Sequence, residues 1–286
     1  MDLNKIKIVT DSSADITALS GVAFEYAPLK ITTAEKEYID DAMLDVLSMV
    51  NDLQDYKGKS STSCPNAFDW INAFGNAEYI FCVTITGTLS GSYNSAMLAK
   101  DIYEEEHPDR HVFVLNSLSA GPEIALAIEK LRELILSGKD FDSISNEISS
   151  YALSQTGLLF TLESMKNLAN NGRVNPLVAK MAGLLNIRIV GKASDKGDLE
   201  PLNKCRGERK ALEAIVEHLI SLGYNGGKIK IAHCFNEIAA AKLDSLIKEK
   251  FAEAQIDIYN CRGLCSFYAE KGGMLIGFEK NTELQE

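Results

Sequence analysis

A loop rich in glycine and hydroxyl side chains, residues 85–95, has the composition of an anion-binding segment. It follows the apolar run 79–83, which predicts a buried parallel strand, and it leads into a predicted helix. The first turn of a helix leaves four N–H groups unpaired and carries partial positive charge. We therefore interpret the loop as the head-group pocket of a small-molecule binder, the alternative being an ordinary capped helix start.

A second hydroxyl-rich segment, residues 60–63, lies directly before Cys64 and Pro65. Pro65 restricts Cys64 to extended geometry and is well placed to begin a helix over residues 66–74. One such loop is weak evidence for a site, but two loops in the same half of the chain could converge on one ligand.

Basic residues form two further candidate binding sites. Arg173 follows Gly172 at the predicted junction of two helices, where it could clamp an anion or cap the carbonyls of the preceding helix. A basic cluster contrasts with the acidic character of the chain and is either a solvated face or a docking or phosphate-facing patch. Its members are Lys204, Arg206, Arg209 and Lys210.

The remaining polar residues give weaker evidence for a functional site. Residues 11–15 end the first predicted strand, where they could bind a ligand or cap the following segment. His233 ends a later strand, whereas His107 and His111 are interpreted as structural. The six cysteines are scattered without a Cys-x-x-Cys pair, so we expect free thiols in a reducing cytoplasm and no metal.

The composition is that of a globular protein, with 46% hydrophobic and 24% charged residues among 286. The formal net charge of −11 argues against nucleic acid as a partner. No run approaches the roughly 18 apolar residues of a membrane span. Residues 1–5 do not resemble a signal peptide, which also favours a cytoplasmic location.

Strands and helices alternate in the first half of the chain. Residues 5–10, 79–83 and 111–115 predict strands, and residues 40–53 and 119–136 predict helices. This order indicates an α/β fold with a mostly parallel sheet flanked by helices.

The pattern changes near Gln155, where shorter elements follow. We predict two α/β domains, residues 1–155 and 156–286, the second smaller and with a mixed sheet. One predicted helix of the second half has an apolar face formed by Val178, Met181, Ala182 and Leu185.

Five motifs in the same order give the chain a resemblance to the DegV family of bacterial fatty-acid-binding proteins. The first two resemble the family's Thr-Ser-Gln-Pro-Ser and Ser-Gly-Thr-Tyr-Gln-Ser motifs. The five are Thr62-Ser63-Cys64-Pro65-Asn66, Ser90-Gly91-Ser92-Tyr93-Asn94-Ser95, Gly172-Arg173, Arg206-Gly207 and the strand end at His233. The resemblance runs from the end of the first strand to the final strand.

The resemblance implies a long-chain fatty acid buried between two α/β domains, with no other cofactor. Thr62, Ser63 and Ser90 would hold its carboxylate, together with the backbone around Gly91 and Ser92. A buried carboxylate needs several hydrogen bonds to offset its lost hydration, which two convergent hydroxyl loops could supply.

Some members of the family carry the lipid for a fatty acid kinase, so the resemblance also implies a kinase subunit as partner. We expect it to dock at Lys204, Arg206 and Arg209 and to perform the catalysis that this chain lacks. Transient contact with a membrane surface is compatible with a lipid ligand.

Arg173, His233 and Tyr268 complete the set of predicted ligand-binding residues. Tyr268 takes the position of a family histidine that precedes Gly-Pro-Gly, so it could donate a hydrogen bond but would carry no positive charge. Cys64 replaces the family's glutamine and makes the pocket less polar. These departures bear more on phosphoryl transfer to the ligand than on lipid binding.

Two alternatives stay open. Ser90 could be the nucleophile of a serine acyl hydrolase, with His233 close in space, although residues 88–92 lack the Gly-x-Ser-x-Gly pattern. The same loops could also carry another small anionic lipid or sense a small anion, which a short polar pocket would favour.

Overall fold

The computed structural model describes residues 1–177 and 186–280. Its strands in chain order are β1 (Ile6–Asp11), β2 (Ala23–Ala27), β3 (Lys30–Thr32), β4 (Glu37–Ile39), β5 (Ser61–Ser63), β6 (Tyr79–Thr84), β7 (His111–Asn116), β8 (Thr156–Leu162), β9 (Ile187–Ala193), β10 (Leu199–Arg206), β11 (Lys228–His233), β12 (Gln255–Asn260) and β13 (Met274–Glu279). Its α-helices are α1 (Val46–Asp55), α2 (Ala67–Phe74), α3 (Ser92–Glu106), α4 (Pro122–Leu136), α5 (Phe141–Ser154), α6 (Lys166–Asn170), α7 (Glu208–Ser221), α8 (Glu237–Lys248) and α9 (Gly263–Ala269).

The first sheet has the strand order β2-β1-β6-β7 and is parallel throughout. Thr10 of β1 is in register with Val83 of β6, so the carboxyl ends of these two strands lie at one edge. Loops that follow the strands therefore meet at that edge, where open α/β sheets place their ligands. The predicted parallel sheet flanked by helices is confirmed.

The second sheet is mixed, with the order β10-β9-β8-β13-β11-β12. Only β11 and β12 pair in parallel, and the other neighbours are antiparallel. A small antiparallel sheet, β4-β3-β5, carries the segment that includes Thr62 and Ser63. The predicted α/β fold with a parallel and a mixed sheet is confirmed, while the domain boundary near residue 155 stays a prediction.

Helix α4 connects the two larger sheets, because it packs against β1 and β6 of the first and against β8, β11 and β13 of the second. Ten of its fifteen residues are buried, from Pro122 to Ile135. A helix that packs against neighbours on two sides has apolar residues on both, whereas a surface helix has one apolar face and one polar face. It therefore ties the two halves of the chain through apolar contacts.

The helix predicted over residues 40–53 begins only at Val46, so its predicted start is wrong. Residues 37–39 form β4, and Asp45 caps the helix by accepting the Ser48 N–H at 3.0 Å. Helix α9 was not predicted from the sequence. The predicted helix face of residues 178–185 lies outside the described residues. In the described part of the chain, no helix is both long enough and apolar enough to span a bilayer.

Candidate functional site

A cavity of about 270 Å³ lies between loops of the first sheet and the face of the mixed sheet. Its volume is close to the lower end of small-molecule sites, about 300 to 1,000 Å³. Alternate residues of β8 point into it, because side chains of a strand alternate between faces. The apolar lining consists of Leu29, Ile85, Leu89, Ala120, Leu158, Phe160, Leu162, Leu168, Leu199, Leu264, Ala269 and Leu275.

The polar part of the lining is small and is formed by Thr62, Ser63, Cys64, Ser90, Gly91, Arg173, Cys265 and Tyr268. Direct contacts bring several of these together. The Thr62 Oγ1 and Tyr268 hydroxyl atoms are 2.7 Å apart, and a Cβ on Gly91 would lie 3.1 Å from Cys64 Sγ. The cavity thus combines a mostly apolar lining with a smaller set of hydrogen-bonding groups, a combination that suits an amphipathic ligand.

Ser90 is held by the first turn of α3. Its Oγ accepts the Ser92 N–H at 3.3 Å, so the hydroxyl hydrogen stays available for a ligand in the cavity. Ser92 itself is fully buried and donates its hydroxyl to Asp11 Oδ2 at 2.6 Å. Ser92 is therefore a support for the loop and not part of the lining, in contrast to Ser90 and Gly91.

The sequence left open whether Asp11 binds a ligand or caps a segment, and the contacts favour the cap. Its carboxylate accepts the N–H groups of Ser13 and Ile85 and the hydroxyl of Ser92. Burial raises the pKa of Asp11, while these hydrogen bonds oppose the rise. Because these contacts reach both Ile85 and Ser92, Asp11 holds the two ends of the loop, and it is not among the residues that line the cavity.

Helix α9 contacts the second hydroxyl-rich segment, which includes Thr62 and Ser63. Thr62 and Ser63 belong to β5, which pairs with β3, and Tyr268 of α9 reaches across to Thr62. Burial raises the pKa of Tyr268, while the hydrogen bond with Thr62 opposes the rise. The tyrosine hydroxyl therefore stays neutral near physiological pH and adds a hydrogen bond without a charge.

Of the two roles that the sequence left open for Arg173, its contacts support the binding of backbone carbonyls near the end of α6. Its Nε donates to the Leu89 carbonyl oxygen at 3.1 Å, and another guanidinium nitrogen donates to the carbonyl of Asn171. It thereby fastens the loop that precedes Ser90 to the end of α6. A guanidinium has five N–H donors, so those not engaged by these carbonyls can serve an anion in the cavity.

His233 lies at the end of β11 and is not among the residues that line the cavity. Its Nδ1 accepts the Asn236 N–H at 3.3 Å, which requires a neutral ring with the proton on Nε2. Burial lowers the pKa of His233, in agreement with that state. The structure therefore gives this histidine a place in a helix-start turn and does not bring it to the other candidate residues.

The basic cluster lies on the surface, away from the cavity lining. Lys204 and Arg206 are exposed on β10, and Arg209 of α7 is paired with Glu213 at 2.8 Å. An exposed pair of this kind adds little stability. The cluster is therefore open to a partner with an acidic surface.

Helix α9 supplies four lining residues, yet nothing in its own sequence marked it as part of a site. Asp40 fixes its start, since its two carboxylate oxygens accept the N–H groups of Gly263 and Leu264 at 2.8 Å each. Asp15 accepts the Arg262 N–H at 2.9 Å. These caps come from more than 220 positions earlier in the chain, so no local sequence signal predicts them.

Reactive groups are scarce around the cavity. No histidine is among the described residues that line it, and no cluster of three or more His, Cys, Asp or Glu side chains in the described ranges could hold a metal. All six cysteines are free thiols. The arrangement is suited to binding through hydrogen bonds and apolar contact.

Comparison with protein families matches residues 5–281 to the model described as an uncharacterised protein of the DegV family. A DegV domain-containing protein of Streptococcus gordonii is 46% identical over 277 residues, which cover 96% of this chain and 98% of that protein.

Two solved structures share the fold closely. A DegV family protein of Eubacterium eligens, loaded with heptadecanoic acid, has 42% sequence identity and a TM-score of 0.94, covering 96% of this chain and all (100%) of that chain. The Fatty Acid Kinase (Fak) B3 protein of Streptococcus pneumoniae, loaded with linoleic acid, has 44% identity and a TM-score of 0.94. That match covers 97% of this chain and 100% of the pneumococcal chain.

Proposed function

Because the chain belongs to the DegV family, we propose that it binds a long-chain fatty acid in the cavity between the two sheets. The observation that carries the proposal is the combination, in one cavity, of a mostly apolar lining with a smaller set of hydrogen-bonding groups. Proteins of the same fold at 42% and 44% identity were solved with heptadecanoic and linoleic acid, ligands with just these two parts.

The carboxylate would lie at the polar cluster. Ser90, the pair formed by Thr62 and Tyr268, and the guanidinium of Arg173 supply donors there. A carboxylate removed from water needs several hydrogen bonds to offset the hydration that it loses. Ser63 and the backbone at Gly91 belong to the same part of the lining and complete the proposed head-group site.

The acyl chain would lie along the leucine-rich remainder of the cavity. Burial of each methylene group contributes about 0.8 kcal/mol, so a long chain supplies most of the binding free energy. The hydrogen bonds of the head group then fix orientation and select an acid over a neutral lipid. This division favours a fatty acid over a small anion, since a small anion would leave the apolar lining without a partner.

We further propose that the bound acid is presented to a kinase subunit, which forms the acyl phosphate. Support comes from the likeness to the Fatty Acid Kinase B3 protein and from the exposed cluster of Lys204, Arg206 and Arg209. The chain would contribute binding and no catalysis. The six free thiols are compatible with work in a reducing compartment such as the cytoplasm.

A serine hydrolase is less well supported. The Ser90 Oγ accepts a backbone N–H, and its described neighbours in the cavity lining include no histidine to take its proton. A hydrolase would release product from acyl esters, whereas the proposed carrier should keep its ligand.

The proposal is tested by organic extraction of the purified protein and mass spectrometry of the extract. Near-stoichiometric long-chain fatty acid is the expected result. An extract without fatty acid, from a protein that also takes up none when fatty acid is added, would contradict the proposal. Steady hydrolysis of acyl esters that disappears in Ser90→Ala would favour the hydrolase instead.

A further inference from the structure

One carboxylate oxygen holds both ends of the loop that carries Ser90. Asp11 Oδ2 accepts the Ile85 N–H at 3.0 Å, where the loop leaves β6, and the Ser92 hydroxyl at 2.6 Å, where the loop enters α3. The other oxygen accepts the backbone N–H and the hydroxyl of Ser13. Asp11 is fully buried at the end of β1, where it is in register with Ala27 of β2.

The contact with Ser92 continues to the cavity. Asp11 fixes the Ser92 side chain, and the Ser92 backbone N–H donates to Ser90 Oγ. An oxygen that already accepts a hydrogen bond from one side directs its own hydrogen elsewhere. Ser90 borders the cavity, whereas Asp11 and Ser92 do not.

We infer that Asp11 is a positioning residue for ligand recognition: through Ser92 it holds the Ser90 hydroxyl as a hydrogen-bond donor toward the head group. The inference rests on the proposed function, since it concerns the group that Ser90 meets in the cavity. Asp11 and Ser92 thereby distinguish a carboxylate from a neutral head group although neither residue touches the ligand. The apolar lining has no part in this selection.

The test compares oleic acid with oleyl alcohol, which has the same chain and a neutral head group. Dissociation constants of both are measured with delipidated full-length protein. Ser92→Ala and Asp11→Asn should each weaken oleic acid binding by about tenfold, the effect of losing a hydrogen bond to a charged group. Binding of oleyl alcohol should change by less than about twofold, because the apolar contacts are retained.

A matched control is available in Thr156, whose hydroxyl donates to the buried carboxylate of Glu123 at 2.7 Å. Thr156→Val breaks a comparable pair outside the head-group cluster and should leave the ratio of the two affinities unchanged. Ser92→Thr keeps the hydroxyl and should restore the ratio. If Asp11→Asn does not fold, the two Ser92 variants decide the question.

A double-mutant cycle separates positioning from general stability. In a Ser90→Ala background, Ser92→Ala should have no further effect on the acid-to-alcohol ratio, because the donor that it orients is already absent. If Asp11 and Ser92 only stabilise the fold, their substitution should weaken the binding of oleic acid and of oleyl alcohol equally. The ratio of the two affinities would then equal that of the unmodified protein. This result would overturn the inference about Asp11 but leave the proposed function standing. Failure of the unmodified protein to bind oleic acid would overturn the proposed function as well.

Discussion

The hydroxyl groups of Thr62 and Tyr268 lie 2.7 Å apart, although 206 positions separate the two residues in the sequence. Their contact joins β5 to α9 across the polar part of the cavity. Since α9 also supplies Leu264 and Ala269 to the lining, the same contact holds apolar walls in place. This hydrogen bond thus links the proposed head-group site to the helix that forms one wall of the cavity.

Removal of the tyrosine hydroxyl should affect both properties. Tyr268→Phe is expected to lower the free energy of unfolding by about 1 kcal/mol, the net value of one hydrogen bond, and to weaken fatty acid binding severalfold. Tyr259→Phe is the matched control, since no partner of its buried hydroxyl is found among the described residues. Denaturant unfolding and binding titrations check both variants, and equal effects of the two would refute the role of the Thr62 contact.

The tip of the β9–β10 hairpin supports the Ser90 loop from the other sheet. Thr88 Oγ1 donates to the Gly197 carbonyl oxygen at 2.9 Å, and a Cβ on Gly197 would overlap the Thr86 side chain. Gly197→Ala should therefore destabilise the protein by more than about 1 kcal/mol, because the clash adds to the strain of its φ of +84°.

Gly138 provides the control for this prediction. It has a similar φ of +78°, and nothing lies within 4 Å of a Cβ built there. Gly138→Ala thus measures the backbone strain alone. A melting temperature lowered equally by both substitutions would show that contact with the Ser90 loop adds nothing.

The ionisation of the buried Asp15 carboxyl group should make the stability of the protein depend on pH. Burial raises the pKa of Asp15 from 3.8 to about 8, and the nearby carboxylate of Asp40 adds to the rise. The folded state therefore holds this proton more tightly than the unfolded state, so the contribution of Asp15 to stability is fully present below pH 3.8 and is lost as the pH rises through about 8.

Asp15→Asn tests that contribution, because it replaces the titrating group by a neutral one. The difference in free energy of unfolding between variant and unmodified protein should shift in favour of the variant from pH 5 to pH 9. Urea unfolding across this range measures it. A difference that does not vary with pH would mean that Asp15 does not titrate in this range.

The docking patch can be tested without disturbing the cavity. Arg206→Glu should abolish acyl-phosphate formation with the kinase subunit of the same organism and leave bound fatty acid unchanged, because Arg206 is exposed and outside the lining. Lys139→Glu makes the same charge change at a surface salt bridge with Glu147 and should retain activity. Full activity of Arg206→Glu would show that the kinase subunit does not dock through Arg206.

The sequence was informative where local chemistry decides structure. The two hydroxyl loops were recognisable because each precedes a helix, and the structure brings Thr62, Ser63 and Ser90 to the same cavity. The parallel sheet was predictable from the alternation of apolar strands with helices. These features depend on neighbours within a few residues.

The features that could not be predicted from the sequence depend on contacts between residues far apart in the chain. Helix α9 is short, and its start is capped by Asp40, which is 223 positions away from Gly263. His233 was predicted to bind the ligand because of the family resemblance, but its ring accepts the Asn236 N–H and it is not among the described residues that line the cavity. The contacts of Asp11 with Ile85 and Ser92 likewise join residues that are 74 and 81 positions apart, so no local pattern predicts them.

The most direct test of the central claim is a crystal structure of the protein with its extracted or added fatty acid. We expect one acyl chain along the leucine-rich cavity, with its carboxylate within hydrogen-bonding distance of Ser90 and of the Thr62–Tyr268 pair. A ligand bound elsewhere, or in the cavity with its carboxylate away from these hydroxyl groups, would contradict the account.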